Sequence, residues 1–340
     1  AFIAGVAGET LSPAEASFFR SAAPAGLMLF ARNCVSHEQI RRLVGDVRDA
    51  VGGDEILVLI DQEGGRVQRL RPPLGRALPA AQAYAMLFAE DATLAREAAF
   101  NAARLVADDL ISLGINTDCA PVLDLPVPGS HDIIGDRAYG TEVAQVAMLA
   151  RAVAEGFMAG GVLPVIKHIP GHGRATADSH LELPVVTEPH AVLSATDFAP
   201  FKALRDMPAA MTAHVVYTAI DAARPASTSE RVTRDVIRGE IGFDGLLMSD
   251  DLSMKALTGS FTERTQAVLS AGSDLALHCN GVLAEMEEVA GVAPALSGEA
   301  LRRFHAALAV LERRDPYDSV KAETQLALAL GAGRRHTESV

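Results

Sequence analysis

The sequence predicts an α/β protein built as a (β/α)8 barrel of the TIM type, and three observations carry that expectation. Eight short β-prone runs recur along the 340 residues, and helix-patterned stretches separate most of them. The runs are near-continuously apolar rather than alternating, as expected of parallel strands covered on both faces. Polar residues then gather where the runs end: Asp61, Asp124, Lys167 with His168, His214, Asp250 and His278. A barrel collects such ends on one face, whereas an open doubly wound sheet would spread them by about 4.8 Å per strand.

The elements follow in order. The first run, 2–8, leads to Ser12, Pro13 and Glu15, whose spacing is that of a capping box opening a helix. Run 25–31 is followed by Ser36 with Gln39 in the same spacing, and Ile40, Leu43, Val44 and Val47 then fall on one helical face. Run 55–61 precedes a helix-patterned stretch over 91–113, and run 115–125 precedes another over 143–158. Run 162–170 opens into a long polar segment. Runs 209–217, 245–251 and 273–279 complete the set, with Ser260 and Glu263 marking a helix start between the last two. No Gly/Ser linker or composition shift divides the chain, so 1–330 reads as one barrel domain and 331–340 as a disordered tail.

Composition bounds the function. With 49% hydrophobic residues and a mean hydropathy of +0.19, the chain can bury a sizeable core. The net charge of −13 would repel phosphate backbones and anionic lipid, so neither nucleic acid nor a membrane is expected as partner. No apolar run approaches the roughly 18 to 20 residues of a membrane span, and the first residues lack the pattern of a signal peptide. Cys34, Cys119 and Cys279 are odd in number and sit far apart in apolar segments, which predicts reduced buried thiols and a cytoplasmic setting.

Three motifs carry chemistry. The densest is KHIPGHGRATADSH at 167–180, which follows a pure Val/Leu/Ile/Pro strand; its glycines permit a tight turn that aims Lys167 and His168 into the barrel mouth. Asp178 and His180 are two apart, so in an extended segment they share a side and can hydrogen-bond, tuning the imidazole for proton transfer. A lone histidine such as His214 or His278 is more often a satisfied core residue. The cluster is different, because packing gives no reason for so many ionisable groups beside glycines. His168, His172 and His180 could surround zinc, but neither HExxH nor an early H-x-H is present, and the Lys167 ammonium disfavours a cation. The second motif is MSDDLSM at 248–254. Its adjacent carboxylates should point to opposite sides, Asp250 as nucleophile or base at the mouth and Asp251 toward the wall as a helix cap. The third, DQEGGRVQRL at 61–70, places Asp61, Glu63, Arg66 and Arg69 about a Gly-Gly turn, a mixture better suited to sugar hydroxyls and an amide or carboxylate than to phosphate.

Together with PAGLMLFARN at 24–33, APVLDL at 120–125 and IIGDRAYG at 133–140, these motifs resemble glycoside hydrolase family 3, and within it the single-domain bacterial β-N-acetylglucosaminidases. Their order and spacing span about 230 residues of this chain. Two departures stand out, Ile169 where an aromatic is commoner and Met248 ahead of Ser-Asp-Asp, and neither is a catalytic group. The resemblance implies Asp250 as nucleophile, His180 as general acid/base assisted by Asp178, and Asp61, Arg69, Arg137, Lys167 and His168 as binders of the N-acetylglucosamine ring. It further implies retaining hydrolysis of peptidoglycan fragments in the cytoplasm. No metal and no cofactor are expected, since Asp250, His180 and the cationic binding groups carry all the charge work; the expected partner is a saccharide or muropeptide, and the sequence does not fix the oligomeric state, the monomer being slightly favoured. A metal-dependent hydrolase on the same barrel, or an inactive carbohydrate-binding barrel, stays open as the alternative.

Overall fold

The computed structural model describes residues 1–337, with side chains through 331. Eight parallel strands close into a barrel in chain order: β1 (Phe2–Ala4), β2 (Gly26–Leu29), β3 (Leu57–Ile60), β4 (Thr117–Asp118), β5 (Leu163–Ile169), β6 (Ala209–Thr212), β7 (Leu246–Asp251) and β8 (Leu275–His278), which pairs back onto β1. The expected (β/α)8 barrel is therefore the observed one.

Helices surround it where the sequence places them. Ser12 caps Pro13–Ala22 with the reciprocal Glu15 bond, and Ser260 caps Phe261–Ser270 with Glu263 in the same way. Ser36 accepts from the Gln39 backbone, but the Gln39 side chain reaches Val35 N–H, one residue short of closing the box. Helix His37–Val51 lays Ile40, Leu43, Val44 and Val47 onto the sheet, and Ala92–Ser112 and Val143–Ala159 pack beside each other through small residues.

Two apolar layers result. Inward-facing Ile3, Met28, Leu59, Val165, Met211 and Leu246 fill the barrel, and Phe304 and Ala307 of helix Gly298–Val310 join that same cluster. Cys34, Cys119 and Cys279 are free and buried. Helix Ser319–Thr337 continues into the segment expected as a tail, and 338–340 lie outside the described residues.

The fourth strand departs from expectation. Instead of 115–125, regular pairing stops after Asp118, because Pro121 has no N–H to contribute to a ladder. The chain still follows β5: Ala120 and Pro121 carbonyls accept from Val165 and Lys167 N–H, and Leu123 N–H donates to Lys167 O at 2.7 Å. On the other side the Asn116 side chain extends the backbone pairing, accepting from Val58 N–H at 2.7 Å and donating to Ile56 O at 3.0 Å. This irregular stretch delivers Asp124, fully buried, to the top of the barrel.

Candidate active site

At the end of β3 the chain passes Asp61 into a hairpin, Gln62–Gly64 against Val67–Gln68. The turn uses Gly64 and Gly65 at φ +100° and +57°, and a Cβ on Gly65 would fall 2.6 Å from that of Ala80, so glycine is required there. Gln62 locks the return: its side-chain oxygen accepts from Arg69 N–H (3.0 Å) and Leu70 N–H (2.9 Å). Arg69 is thereby held over Asp61, Nη2 to Oδ2 at 2.8 Å.

A lattice of charge grows from this pair. Lys167 Nζ at the end of β5 reaches Asp61 Oδ1 at 2.8 Å and Glu63 Oε1 at 2.6 Å, while Arg137 holds Glu63 through both oxygens at 2.8 and 2.9 Å. Burial works to raise both carboxyls, but it is outweighed by Lys167 and Arg69 at Asp61, which falls well below the usual carboxylate range, and by Arg137 and Lys167 at Glu63, brought down to about 2. Burial would lower Lys167, yet Asp61 and Glu63 hold its ammonium above the usual value. The five groups are fixed in place by their mutual ion pairs and able to bind hydroxyls as donors or acceptors. A depressed carboxylate stabilises the fold above its unfolded pKa and loses that contribution as pH falls through the folded one. Stability should therefore decline as pH drops from 4.5 toward 2, with Glu63→Gln flattening that part of the slope in urea unfolding at several pH values. An unchanged slope would remove Glu63 from the ion-paired set.

Asp124 organises the next layer. Its Oδ2 binds His168 Nδ1 at 2.7 Å, and its Oδ1 accepts from the backbone N–H of His168 (3.2 Å) and His172 (2.6 Å). His172 Nε2 in turn contacts Ser179 Oγ at 3.1 Å, both side chains being buried. Burial and the neighbouring His168 push the His172 imidazole down to about 4, so it is neutral at physiological pH. Ser179 precedes His180, so the buried Asp124 holds both the inner histidine and, through His172, the loop bearing the outer one.

On that loop His180 Nδ1 meets Asp178 Oδ1 at 2.8 Å, and the same oxygen accepts from His180 N–H at 2.9 Å. The pairing is the expected one, but its origin is not: the segment turns, with Leu181 and Glu182 N–H donating to Asp178 O, so a side-chain-capped turn replaces the extended strand. Burial raises the Asp178 carboxyl less than the His180 N–H and ring lower it, leaving it below the usual range. The His180 side chain is 62% exposed and lines the cavity.

Asp250 and Asp251 end β7. Burial would raise Asp250, but the facing His214 and His168 rings and the Asp251 N–H (2.8 Å to Oδ1) hold its carboxyl below the usual range. The two carboxylates do not part to mouth and wall as alternation predicts. Pairing with β8 shifts register between Met248 and Asp251, and Asp250 and Asp251 line the same cavity. Asp251 caps a turn, not a helix, accepting from Ser253 N–H (3.0 Å) and Cys279 N–H (3.2 Å), and no helix begins before Phe261.

A cavity of about 390 Å³ at the C-terminal end of the barrel joins these groups: Asp61, Arg69, Arg137, Lys167, His168, His180 and Asp250 all line it, and Asp178 stands behind His180. Lys167 and His168 both face it although adjacent in sequence, since β5 shifts register against β6 between Lys167 and Ile169. His214, expected at a strand end, lies behind Asp250 on Ser227 Oγ at 2.7 Å, and buried His278 packs on the Phe261 ring at 4.7 Å. Glu63, which the sequence offers only as part of the 61–70 motif, and Asp124, which it offers only as a polar residue at a strand end, tie the lattice together. His168, His172 and His180 engage Asp124, Ser179 and Asp178 separately, and among the described residues no group of three or more His, Cys, Asp or Glu is arranged to hold a metal.

Comparison with known proteins agrees in fold and sequence. A β-hexosaminidase of Bordetella avium is 37% identical over 94% of this chain and 91% of its own length. A family 3 β-N-acetylglucosaminidase of a Paenibacillus species superposes with a TM-score of 0.84 at 29% identity, over 96% of this chain and 66% of that one. NagZ of Neisseria gonorrhoeae, solved with N-trifluoroacetyl-D-glucosamine, gives a TM-score of 0.85 at 31% identity over 98% and 97% of the two chains, and it has also been solved with zinc ion (TM-score 0.84, 30% identity, 97% of each chain). Residues 10–310 match the glycosyl hydrolase family 3 N-terminal domain, so the chain belongs to glycosyl hydrolase family 3.

Proposed function

We propose that this protein is a retaining exo-β-N-acetylglucosaminidase that removes terminal N-acetylglucosamine from peptidoglycan fragments in the cytoplasm. The observation that carries the reading is the single cavity holding an ionised carboxylate, Asp250, an Asp-paired imidazole, His180, and a rigid lattice of hydroxyl-binding charges. Asp61, Arg69, Arg137, Lys167 and His168 bind the ring. Asp250 attacks the anomeric carbon as the bond to the glycosidic oxygen breaks, and imidazolium His180 gives its proton to that oxygen. Neutral His180 then deprotonates a water, which displaces the Asp250 ester, so two inversions at one carbon give net retention. Asp178 supports the ring whenever it is positive, before the first proton transfer and after the second. His172 is buried with its Nε2 engaged by Ser179 Oγ at 3.1 Å, whereas His180 is exposed at the cavity, so the acid role is assigned to His180. The residues bound to Asp250 and His180 leave the acid and nucleophile roles intact, which favours an active enzyme over a binding barrel.

The relatives named as hexosaminidases and the gonococcal complex support the N-acetyl sugar as substrate. Buried free thiols support a reducing compartment, and no described helix is long and apolar enough to cross a membrane. Nitrophenol should be released from an aryl N-acetylglucosaminide far faster than from the glucoside, and exhaustive chelation should leave the rate unchanged. Preference for the glucoside would overturn the substrate. A loss on chelation that zinc restores would favour the metallohydrolase.

A further inference from the structure

Arg66 belongs to the 61–70 motif and lines the sugar cavity, yet it stands outside the lattice of Asp61, Glu63, Arg69, Arg137 and Lys167. Its guanidinium lies on the loop over 126–137 instead. Nη2 donates to three successive carbonyls, Asp132 O at 2.6 Å, Ile133 O at 2.8 Å and Ile134 O at 3.2 Å, and Nε stands 2.9 Å from Asp136 Oδ1. Adjacent carbonyl oxygens turned onto one point repel one another unless a positive charge lies between them, which is the arrangement of a cation site. Here the chain supplies the cation itself.

The turn is shaped around that side chain. Gly135 has φ +43°, and a Cβ there would lie 3.2 Å from Arg66 Nη2 and crowd Asp132 Oδ1. Apolar packing holds the loop only lightly: Ile134 and Ala138 join Val122 in a small cluster apart from the main core, with Ile133 at its edge. Apart from one short 3₁₀ turn, Gly135–Arg137, the loop has no regular secondary structure. What it carries faces the sugar, since Ile133, Ile134 and Arg137 all line the cavity. Arg137 Nη1 donates at 3.2 Å to Ile133 O, a carbonyl that Arg66 also holds, while its other nitrogens meet Glu63. The hairpin therefore grips the loop twice, through Arg66 and through Glu63.

We propose that Arg66 is a positioning residue for sugar binding: by filling the ring of carbonyls at 132–134 it fixes the loop that presents Arg137 to the N-acetylglucosamine ring. The inference rests on Arg137 as a ring binder.

In R66A, KM for the aryl N-acetylglucosaminide should rise about 30-fold while kcat stays within about threefold, because ring contacts are lost in the ground state and the transition state alike. R66K keeps a cation on a shorter arm and should fall between R66A and wild type. The native side chain is 42% exposed, so guanidinium ion added below denaturing concentrations should enter the vacated ring and restore part of the R66A loss, whereas sodium chloride at equal ionic strength should restore none. G135A disturbs the same turn without removing a cation, so its KM should rise with no response to guanidinium. If Arg66 acts through Arg137, R66A/R137A should be no more than about twofold worse than R137A alone. Losses that multiply would make Arg66 an independent contact and overturn the proposal. So would an R66A that matches wild type beside a damaged R137A, or an R66A loss that falls on kcat or ignores guanidinium; each leaves the glycosidase standing. Should R66A fail to fold, R66K carries the same cycle with R137A. An R137A that binds and turns over the sugar as wild type does would instead remove Arg137 from the ring binders, and this role of Arg66 with it.

Discussion

Asp250→Asn should abolish turnover, with kcat falling on the order of 10⁴-fold or more, and leave the folded protein intact. An amide cannot form the glycosyl ester, so the first displacement has no nucleophile. The substitution keeps the side-chain volume, and Asn still offers an oxygen to the Asp251 N–H that Asp250 Oδ1 now accepts at 2.8 Å. Urea unfolding and circular dichroism should therefore match wild type closely. The positive counterpart is covalent: wild-type enzyme given a slow fluorinated N-acetylglucosaminyl substrate should gain the mass of one sugar, and peptide mapping should place it on Asp250. An adduct on Asp251 would reject the assignment. The structure gives a reason to expect none there, since Asp251 is occupied by Ser253 and Cys279 N–H and holds the turn that follows the strand.

Reading the chain as a sequence reaches the barrel because parallel strands covered on both faces must be apolar throughout, and such runs are visible without partners. It reaches less far where side chains extend the pairing. The fourth strand is shortened by Pro121 and continued by Asn116 and loose backbone bonds, none of which changes the apolar pattern of 115–125. Alternation fails at Asp250 and Asp251, and again at Lys167 and His168, for one reason: register shifts against a neighbouring strand belong to the pair, not to either sequence. Glu63 was within reach. It stands two residues after Asp61, the spacing that puts side chains on one side of an extended chain, and Lys167 bridges the two. Asp124 was visible as a polar residue at a strand end, but its hold on His168 and His172 depends on a contact across more than 40 residues of chain that no local spacing records. Asp178 and His180 show the reverse case, a correct pairing reached through an extended segment that is in fact a turn.

That pair makes the other large prediction, because Asp178 and His180 form one proton-handling unit: His180 Nδ1 is on Asp178, which leaves Nε2 as the nitrogen that meets substrate. With a sugar or alkyl leaving group, protonation dominates the first step, so His180→Ala or Asp178→Ala should cost on the order of 10² to 10⁴ in rate. Asp178→Ala removes both the counter-charge of the imidazolium and the oxygen that caps the loop turn through His180 N–H, so its loss should approach that of His180→Ala itself. A nitrophenolate departs with little help. For that substrate the first step should be largely spared and the damage should move to the second, where His180 must deprotonate water. The expected record is a burst of nitrophenol stoichiometric with enzyme, then slow turnover that azide accelerates, since azide attacks the glycosyl ester without general-base assistance. The burst also separates chemistry from position: a loop merely displaced by the substitutions would slow the release of both leaving groups alike. Equal losses on both substrates, with no burst and no azide rescue, would make the pair structural and move the acid/base to another group on the cavity wall.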